Sequence, residues 1–304
     1  MTSTPASKLK IWAGQIRAPF LFLSVFLVLI GAAAALADGH FRGLHLALCV
    51  LGVTLAHVAV NLFNELSDHK TGIDDHTEPT PFSGGSKTLQ RGLLRPKQVA
   101  AAAWIALFAA LAAGIYLAWA AGWLLIVFAV AGGLAALFYT SHLSRWMVGE
   151  AVAGLTLGSL VVLGTYYAQA GNLTPQVILL SIPPGILTAL LLLLNEFPDA
   201  EADRLGGRRH LVIALGYRRA AILYALGILA VYSVLGIGVA LGWFPKSLLL
   251  AFLTLPLGIK AAAHAIHGGH DRGAILPALS ANVALVLGTD LLIAIAYVLH
   301  RTFA

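Results

Sequence analysis

The chain has little charge and almost no cysteine. Asp, Glu, Lys and Arg make up 11% of its 304 residues, against about a quarter in soluble domains. Residues of the apolar and aromatic set make up 59%, and the mean hydropathy is strongly positive. Many segments are apolar all round, which leaves no polar face for water, so this is an all-α integral membrane protein. The single cysteine, Cys49, excludes an internal disulfide framework and a cysteine-based structural zinc site. His69, His76, His264, His267 and His270 lack flanking ligands in a closed pattern, so no zinc site is expected from them. No cleavable signal peptide is evident: the start of the chain is polar, and the apolar run from Ala18 is long enough to span.

What is present is a series of apolar runs, each near the roughly 20 residues that cross a bilayer core. Nine spans are predicted, at 18–38, 43–66, 98–121, 123–140, 147–170, 175–197, 220–242, 245–267 and 276–299, in one domain covering 1–304. Short and long connections alternate, which places tight turns on one side and functional loops, near 64–97 and 195–219, on the other. With the N-terminus inside, all but Arg42, Lys246 and Arg301 of the 19 Lys and Arg residues fall on the inner side. The net charge of +6 therefore reads as topology and contact with anionic lipid. No basic tail or reading module for nucleic acid accompanies it, and no obligate protein partner is evident.

Two acidic clusters end spans on that inner side. In "HVAVNLFNELSDHKTGIDDH", His57, Asn61, Asn64, Glu65 and Asp68 share one helical face if the helix continues. Gly72 is expected to break it before Asp74 and Asp75. In "LLLLNEFPDAEADRLGGRRH", Asn195, Asp199 and Asp203 are spaced by four and read as one face, with Glu196 beside them. One such cluster is explained by a solvated loop; two on the same membrane side point to a site for a hard divalent cation with oxygen ligands. Mg²⁺ binds through a few carboxylates plus substrate phosphates, so the ligand expected is a diphosphate. Lys87 and Arg91 follow the first cluster in "PFSGGSKTLQRG", while Arg204, Arg208 and Arg209 flank the second. Such groups neutralise phosphate, though basic residues beside spans also serve as topology anchors.

The paired motifs resemble those of the UbiA superfamily of intramembrane prenyltransferases. Asn64-Glu65-x-x-Asp68 is similar to its N-D-x-x-D motif, with Glu for the second Asp, and Asp199-x-x-x-Asp203 to its D-x-x-x-D motif. The "KTGID" ending at Asp74 resembles the branch acting on 1,4-dihydroxy-2-naphthoate in menaquinone synthesis. "VGEAVAGLTLGSLVVLGTYYAQAG" and "WAGQIRAPF" are similar to further stretches of that branch. The chain departs from the pattern at Glu196 and Pro198, where Asn and Arg are usual, and at His210, which replaces Thr.

The resemblance implies a bundle of nine helices in the cell (inner) membrane, capped on the cytoplasmic side by the motif loops. It implies Mg²⁺-dependent prenyl transfer from a prenyl diphosphate to an aromatic acid. Metal ligands would be Asn64, Asp68, Asp199 and Asp203, with Glu65 and Asp74. Asn64, Lys87, Arg91, Asn195, Arg208 and Arg17 would bind substrate. Asp68, Asp199 and Tyr139 would be catalytic, Tyr139 by steadying a cation with its ring face; an interfacial belt role suits that tyrosine equally. Tyr166 and Tyr167, near the outer end of a span, read as belt residues. Asp290, deep in the last span, reads as a structural hydrogen bond or an acceptor contact, and His57 as packing or a hydrogen bond. Other acceptors such as 4-hydroxybenzoate, a terpene cyclase, and a transporter are the competing readings.

Overall fold

The computed structural model describes residues 7–77, 79–138 and 147–303. Tyr139 and Arg145 lie outside them. Among the described residues every regular element is helical. In chain order these are α1 Lys8–Gln15, α2 Leu21–Ala37, α3 Gly43–Thr71, α4 Ile73–His76 and α5 Pro96–Ala121. Then follow α6 Leu124–Phe138, α7 Gly149–Ala153, α8 Leu160–Ala170, α9 Pro175–Asn195 and α10 Ala200–Leu205. The last are α11 Leu211–Leu215, α12 Tyr217–Ala240, α13 Leu255–Gly268 and α14 Arg272–Phe303. A π-helical turn, Gly154–Ser159, joins α7 to α8, and a 3₁₀ stretch, Lys246–Thr254, leads into α13.

Eight helical segments are long and apolar enough to cross a membrane. They match eight of the predicted spans, so the chain is a multi-pass membrane protein. The remaining predicted span, 123–140, coincides with α6, an apolar helix of 15 residues among the described ones.

Without a water-driven hydrophobic effect between them, membrane helices associate where small residues let backbones approach. A Cβ on Gly31 of α2 would lie 2.4 Å from the Val162 carbonyl of α8. A Cβ on Gly158 would meet Gly185 Cα of α9 at 2.6 Å. Pro183 and Pro184 sit inside α9 beside that contact, where each removes a backbone N–H from the helix ladder. Ser159 Oγ donates to the Ser181 carbonyl at 2.9 Å, fixing the crossing with a polar bond. A second polar link joins three helices. Tyr224 O–H donates to Asn282 Oδ1 at 2.9 Å, and Asn282 Nδ2 donates to the Leu190 carbonyl at 3.3 Å.

Tyr166 corrects the belt reading. It is 1% exposed and donates to Asp38 Oδ2 at 2.5 Å, so its ring packs inside the bundle and its hydroxyl is spent on the exposed end of α2. Asp290 is fully buried in α14, and neither carboxylate oxygen has a hydrogen bond among the described residues. His57 is buried, with Nδ1 2.8 Å from Ser24 Oγ, a hydrogen bond as expected.

Candidate active site

The first acidic motif is carried on one continuous helix. α3 runs through Asp68 to Thr71, and Gly72 ends it with φ +74°, a left-handed cap that costs glycine little. Asn61, Glu65 and Asp68 are buried on the same face, with Asn64 half-buried beside them. Asn61 Nδ2 donates to the Ile16 carbonyl at 2.9 Å, which ties α1 to this face.

The second motif departs from the single-face expectation. α9 stops at Asn195, a turn occupies 196–199, and α10 starts at Ala200. Pro198 supplies the reason: it has no N–H to donate and disfavours helical geometry in the residue before it. Asp199 caps α10 and Asp203 is buried one turn on. Asn195 is left on α9, where it faces the cavity described below.

The two motifs meet through Arg208 and the loop after α4. Arg208 Nη2 donates to Asp68 Oδ1, while Nη1 donates to Asp203 Oδ1 at 2.9 Å. Gly84 N–H donates to Asp199 Oδ2 at 3.0 Å. Ser86 N–H and Oγ donate to Glu65, the latter at 2.5 Å, and Arg17 Nη2 donates to Glu65 Oε1 at 3.1 Å. Glu65 is therefore saturated by the loop and by Arg17. Arg17 holds that position with φ +53°, an uncommon conformation for a side-chain-bearing residue.

Lys87 is turned inward. Its Nζ donates to the Asp74 carbonyl and to Thr77 Oγ1, and lies 3.7 Å from Asp74 Oδ1. Gly85 is needed beside it, with φ +70° and an imagined Cβ only 2.6 Å from Asp74 Oδ1. Arg91, expected at the site, is exposed beyond this loop. Arg204 pairs with Glu201 at 2.7 Å on the surface, and Arg209 is exposed as well.

The concentration of negative charge is visible in protonation. Burial, reinforced by Asp203, pushes the Asp199 carboxyl up to about 6. Burial and Glu65 raise that of Asp74. Burial acts the same way on Asp203, but His210 and Arg208 outweigh it and hold that carboxyl below its usual value. Carboxyls raised in this way mark a place that favours added positive charge.

Under these motifs lies a cavity of about 350 Å³. Arg17, Asn64 and Asn195 line it alongside apolar residues of α2, α3, α5, α6, α8 and α9, including Leu48, Leu111, Phe128 and Leu191. The class defined by this arrangement is a membrane-embedded helical bundle with a cluster of acidic side chains above an apolar chamber.

The chain belongs to the UbiA prenyltransferase family, whose profile matches residues 24–297. It is 31% identical over 211 residues to the 1,4-dihydroxy-2-naphthoate octaprenyltransferase of Bacillus subtilis (strain 168), covering 67% of this chain and 65% of that one. To the enzyme of the same name from Escherichia coli (strain K12) it is 28% identical over 307 residues, covering 96% of both. Among solved structures, it shares its fold with a UbiA homologue from Archaeoglobus fulgidus bound to DMAPP and Mg²⁺. The TM-score is 0.55 at 15% identity, over 96% of this chain and 97% of the other.

Proposed function

We propose that the protein transfers a prenyl group from a prenyl diphosphate to 1,4-dihydroxy-2-naphthoate, with loss of CO₂, using Mg²⁺ held between its two acidic motifs. The observation that carries this reading is the join of a carboxylate-rich roof to an apolar cavity, made where Arg208 links Asp68 to Asp203. The acceptor follows the names of the Bacillus subtilis and Escherichia coli relatives, and Mg²⁺ agrees with the Archaeoglobus fulgidus complex.

The donors fit the ion. Asp68, Asp74, Asp199 and Asp203 offer hard oxygens, Asn64 an amide oxygen, and Asp199 Oδ1 is buried without a hydrogen bond. Bound there, Mg²⁺ would neutralise the diphosphate and stabilise the charge that gathers on it as it leaves. Arg208 and Arg17 add fixed positive charge on that side of the cavity. The allylic C–O bond breaks with its electron pair going to diphosphate. The apolar walls keep water from the carbocation until the ring carbon that bears the acceptor's carboxylate attacks, and CO₂ leaves as the electron pair of its C–C bond returns to the ring. Asn64 and Asn195 orient substrate where the cavity meets the roof. Glu65 and Lys87 act as organisers of the loop, through Ser86 and Asp74.

The site faces the cytoplasm across the cell inner membrane in this reading, which the distribution of Lys and Arg supports. The test is prenyl transfer by purified protein in detergent with geranyl or farnesyl diphosphate and Mg²⁺. 1,4-Dihydroxy-2-naphthoate and 4-hydroxybenzoate are offered in parallel. A naphthoate product that disappears in Asp68→Ala and Asp199→Ala is expected. Prenylation of benzoate alone would reassign the acceptor, diphosphate release without either product would indicate a cyclase, and no metal-dependent turnover would overturn the enzyme reading.

A further inference from the structure

We propose that Glu150, Glu196 and His210 form a second metal site, for a divalent transition ion such as Zn²⁺, behind the second acidic motif. Three helix ends converge there. Glu150 lies in the first turn of α7, Glu196 caps α9, and His210 caps α11. One ligand atom from each lies within 4.8 Å of the other two. Glu150 and His210 are each 3% exposed, and the Glu196 side chain is 11% exposed.

Several polar atoms at this junction have no hydrogen bond among the described residues. Glu150 Oε1 accepts from Leu211 N–H at 2.8 Å, but its Oε2 has no hydrogen bond. The same holds for Glu196 Oε2 and for both ring nitrogens of His210. His210 Nδ1 lies 3.4 Å from Glu196 Oε2. Two ligands bound at 2.0–2.1 Å on a tetrahedral ion are separated by about 3.4 Å. The spacing thus suits two groups sharing an ion, where a direct hydrogen bond would draw them closer.

Charge points the same way. Two carboxylates face each other in a buried pocket, and leaving such charge uncompensated is costly. Arg208 acts on Glu196 from nearby, but its guanidinium already bridges Asp68 and Asp203. One imidazole nitrogen with two carboxylates suits Zn²⁺ better than Mg²⁺, which prefers an all-oxygen shell. The outer nitrogen, Nε2, lies 3.4 Å from Asp203 Oδ2. A carboxylate behind a ligating histidine is the usual way its ring is oriented. Glu196 and His210 are also two of the places where this chain departs from the motif it resembles, and they face one another. The ion would pin the 196–210 segment, whose backbone is further tied by Met147 N–H donating to the Arg209 carbonyl at 3.0 Å. It would thereby set the pose of Asp199 and Asp203.

The test uses Co²⁺ as the probe on the purified full-length protein in detergent, in excess Mg²⁺. Visible ligand-field absorption and equilibrium dialysis report binding. One Co²⁺ per chain is expected, displaced by Zn²⁺. His210→Thr and Glu150→Gln should each weaken it at least about 100-fold, beyond the 10–100-fold typical of outer-shell partners. Asp68→Asn should keep the same spectrum, which separates this site from the Mg²⁺ ligands whether or not prenyl transfer is found. If His210→Thr does not fold, Glu196→Asn is read in the same way. Absence of stoichiometric Co²⁺ in the wild type, or unchanged binding in the variants, overturns the proposal. So does a protonated-carboxyl infrared band that Co²⁺ leaves untouched, because the two glutamates would then share a proton instead.

Discussion

The backbone N–H of Gly84 donates to Asp199 Oδ2 at 3.0 Å, so the loop that follows the first acidic motif ends on a carboxylate of the second. Gly85, next in sequence, lies against Asp74 of the first. One short loop therefore touches both halves of the site, with Ser86 adding a hold on Glu65. A change in its backbone should move both motifs together.

Gly85→Ala tests that coupling. A left-handed φ of +70° costs a side-chain-bearing residue about 1–2 kcal/mol, and the added carbon must also displace the Asp74 carboxylate, 2.6 Å away. Turnover should fall at least about 10-fold, since displacements of about 1 Å at a site cost up to about 100-fold, while the thermal midpoint in detergent drops by only a few degrees. Wild-type turnover in this variant would separate the loop from the chemistry.

Arg208 carries a different prediction. It bridges Asp68 and Asp203 with a planar fork, a geometry that the point charge of lysine does not reproduce. Arg208→Lys keeps the charge but loses the simultaneous contact. A kcat loss on the order of 10–100-fold is expected, below the roughly 100–1000-fold cost of removing a donor outright because the charge is kept. If steady-state kinetics showed the lysine variant equal to wild type, charge alone would suffice and the bridging role would be wrong.

Cavity shape leads to a substrate-length prediction. Gly132 on α6 lines the cavity, and a Cβ built on it meets nothing within 4 Å. Gly132→Phe can therefore enter the chamber without a clash at its base. Use of long prenyl diphosphates should fall several-fold more than use of geranyl diphosphate, as kcat/KM ratios across a donor series. Equal losses at every length would mean that the chain does not run past α6.

Much of this was legible in sequence because a helix converts spacing directly into a face. The His57 to Asp68 intervals needed only an unbroken α3, and Gly72 marked its end. The same spacing misled at Asn195, Asp199 and Asp203, since Pro198 interrupts the helix between them. Charge alone suggests phosphate for Lys87, while the contact of its ammonium with Asp74 is an outcome of loop geometry that no local pattern encodes. Tyr166 had a belt residue's position, but its partner Asp38 comes from the end of another helix. The Glu150, Glu196 and His210 junction was hidden for a similar reason. Its members come from three helix ends, so only their departures from the motif pattern could have drawn attention to two of them.

Arg17 and Glu65 offer a measurement of how tightly the N-terminal segment is bound to the first motif. Glu65 is 1% exposed and accepts from Arg17 at 3.1 Å, while Arg17 keeps 29% of its side chain accessible. Removing Arg17 leaves a buried carboxylate supported by Ser86 alone, so Arg17→Ala should destabilise more than the same change at an exposed pair. Glu65→Gln removes the charge that Arg17 answers. A double-mutant cycle should accordingly show a coupling of about 1–3 kcal/mol, the upper part of the range for contacting residues, with partial exposure of Arg17 holding it below a fully buried pair. The Glu201–Arg204 pair, 70% and 63% exposed at 2.7 Å, is the control. Its coupling should be below about 1 kcal/mol despite the shorter contact, because water screens it. Additive effects at Arg17 and Glu65, measured by thermal unfolding in detergent, would show that the strained arginine is held by backbone packing and not by the carboxylate.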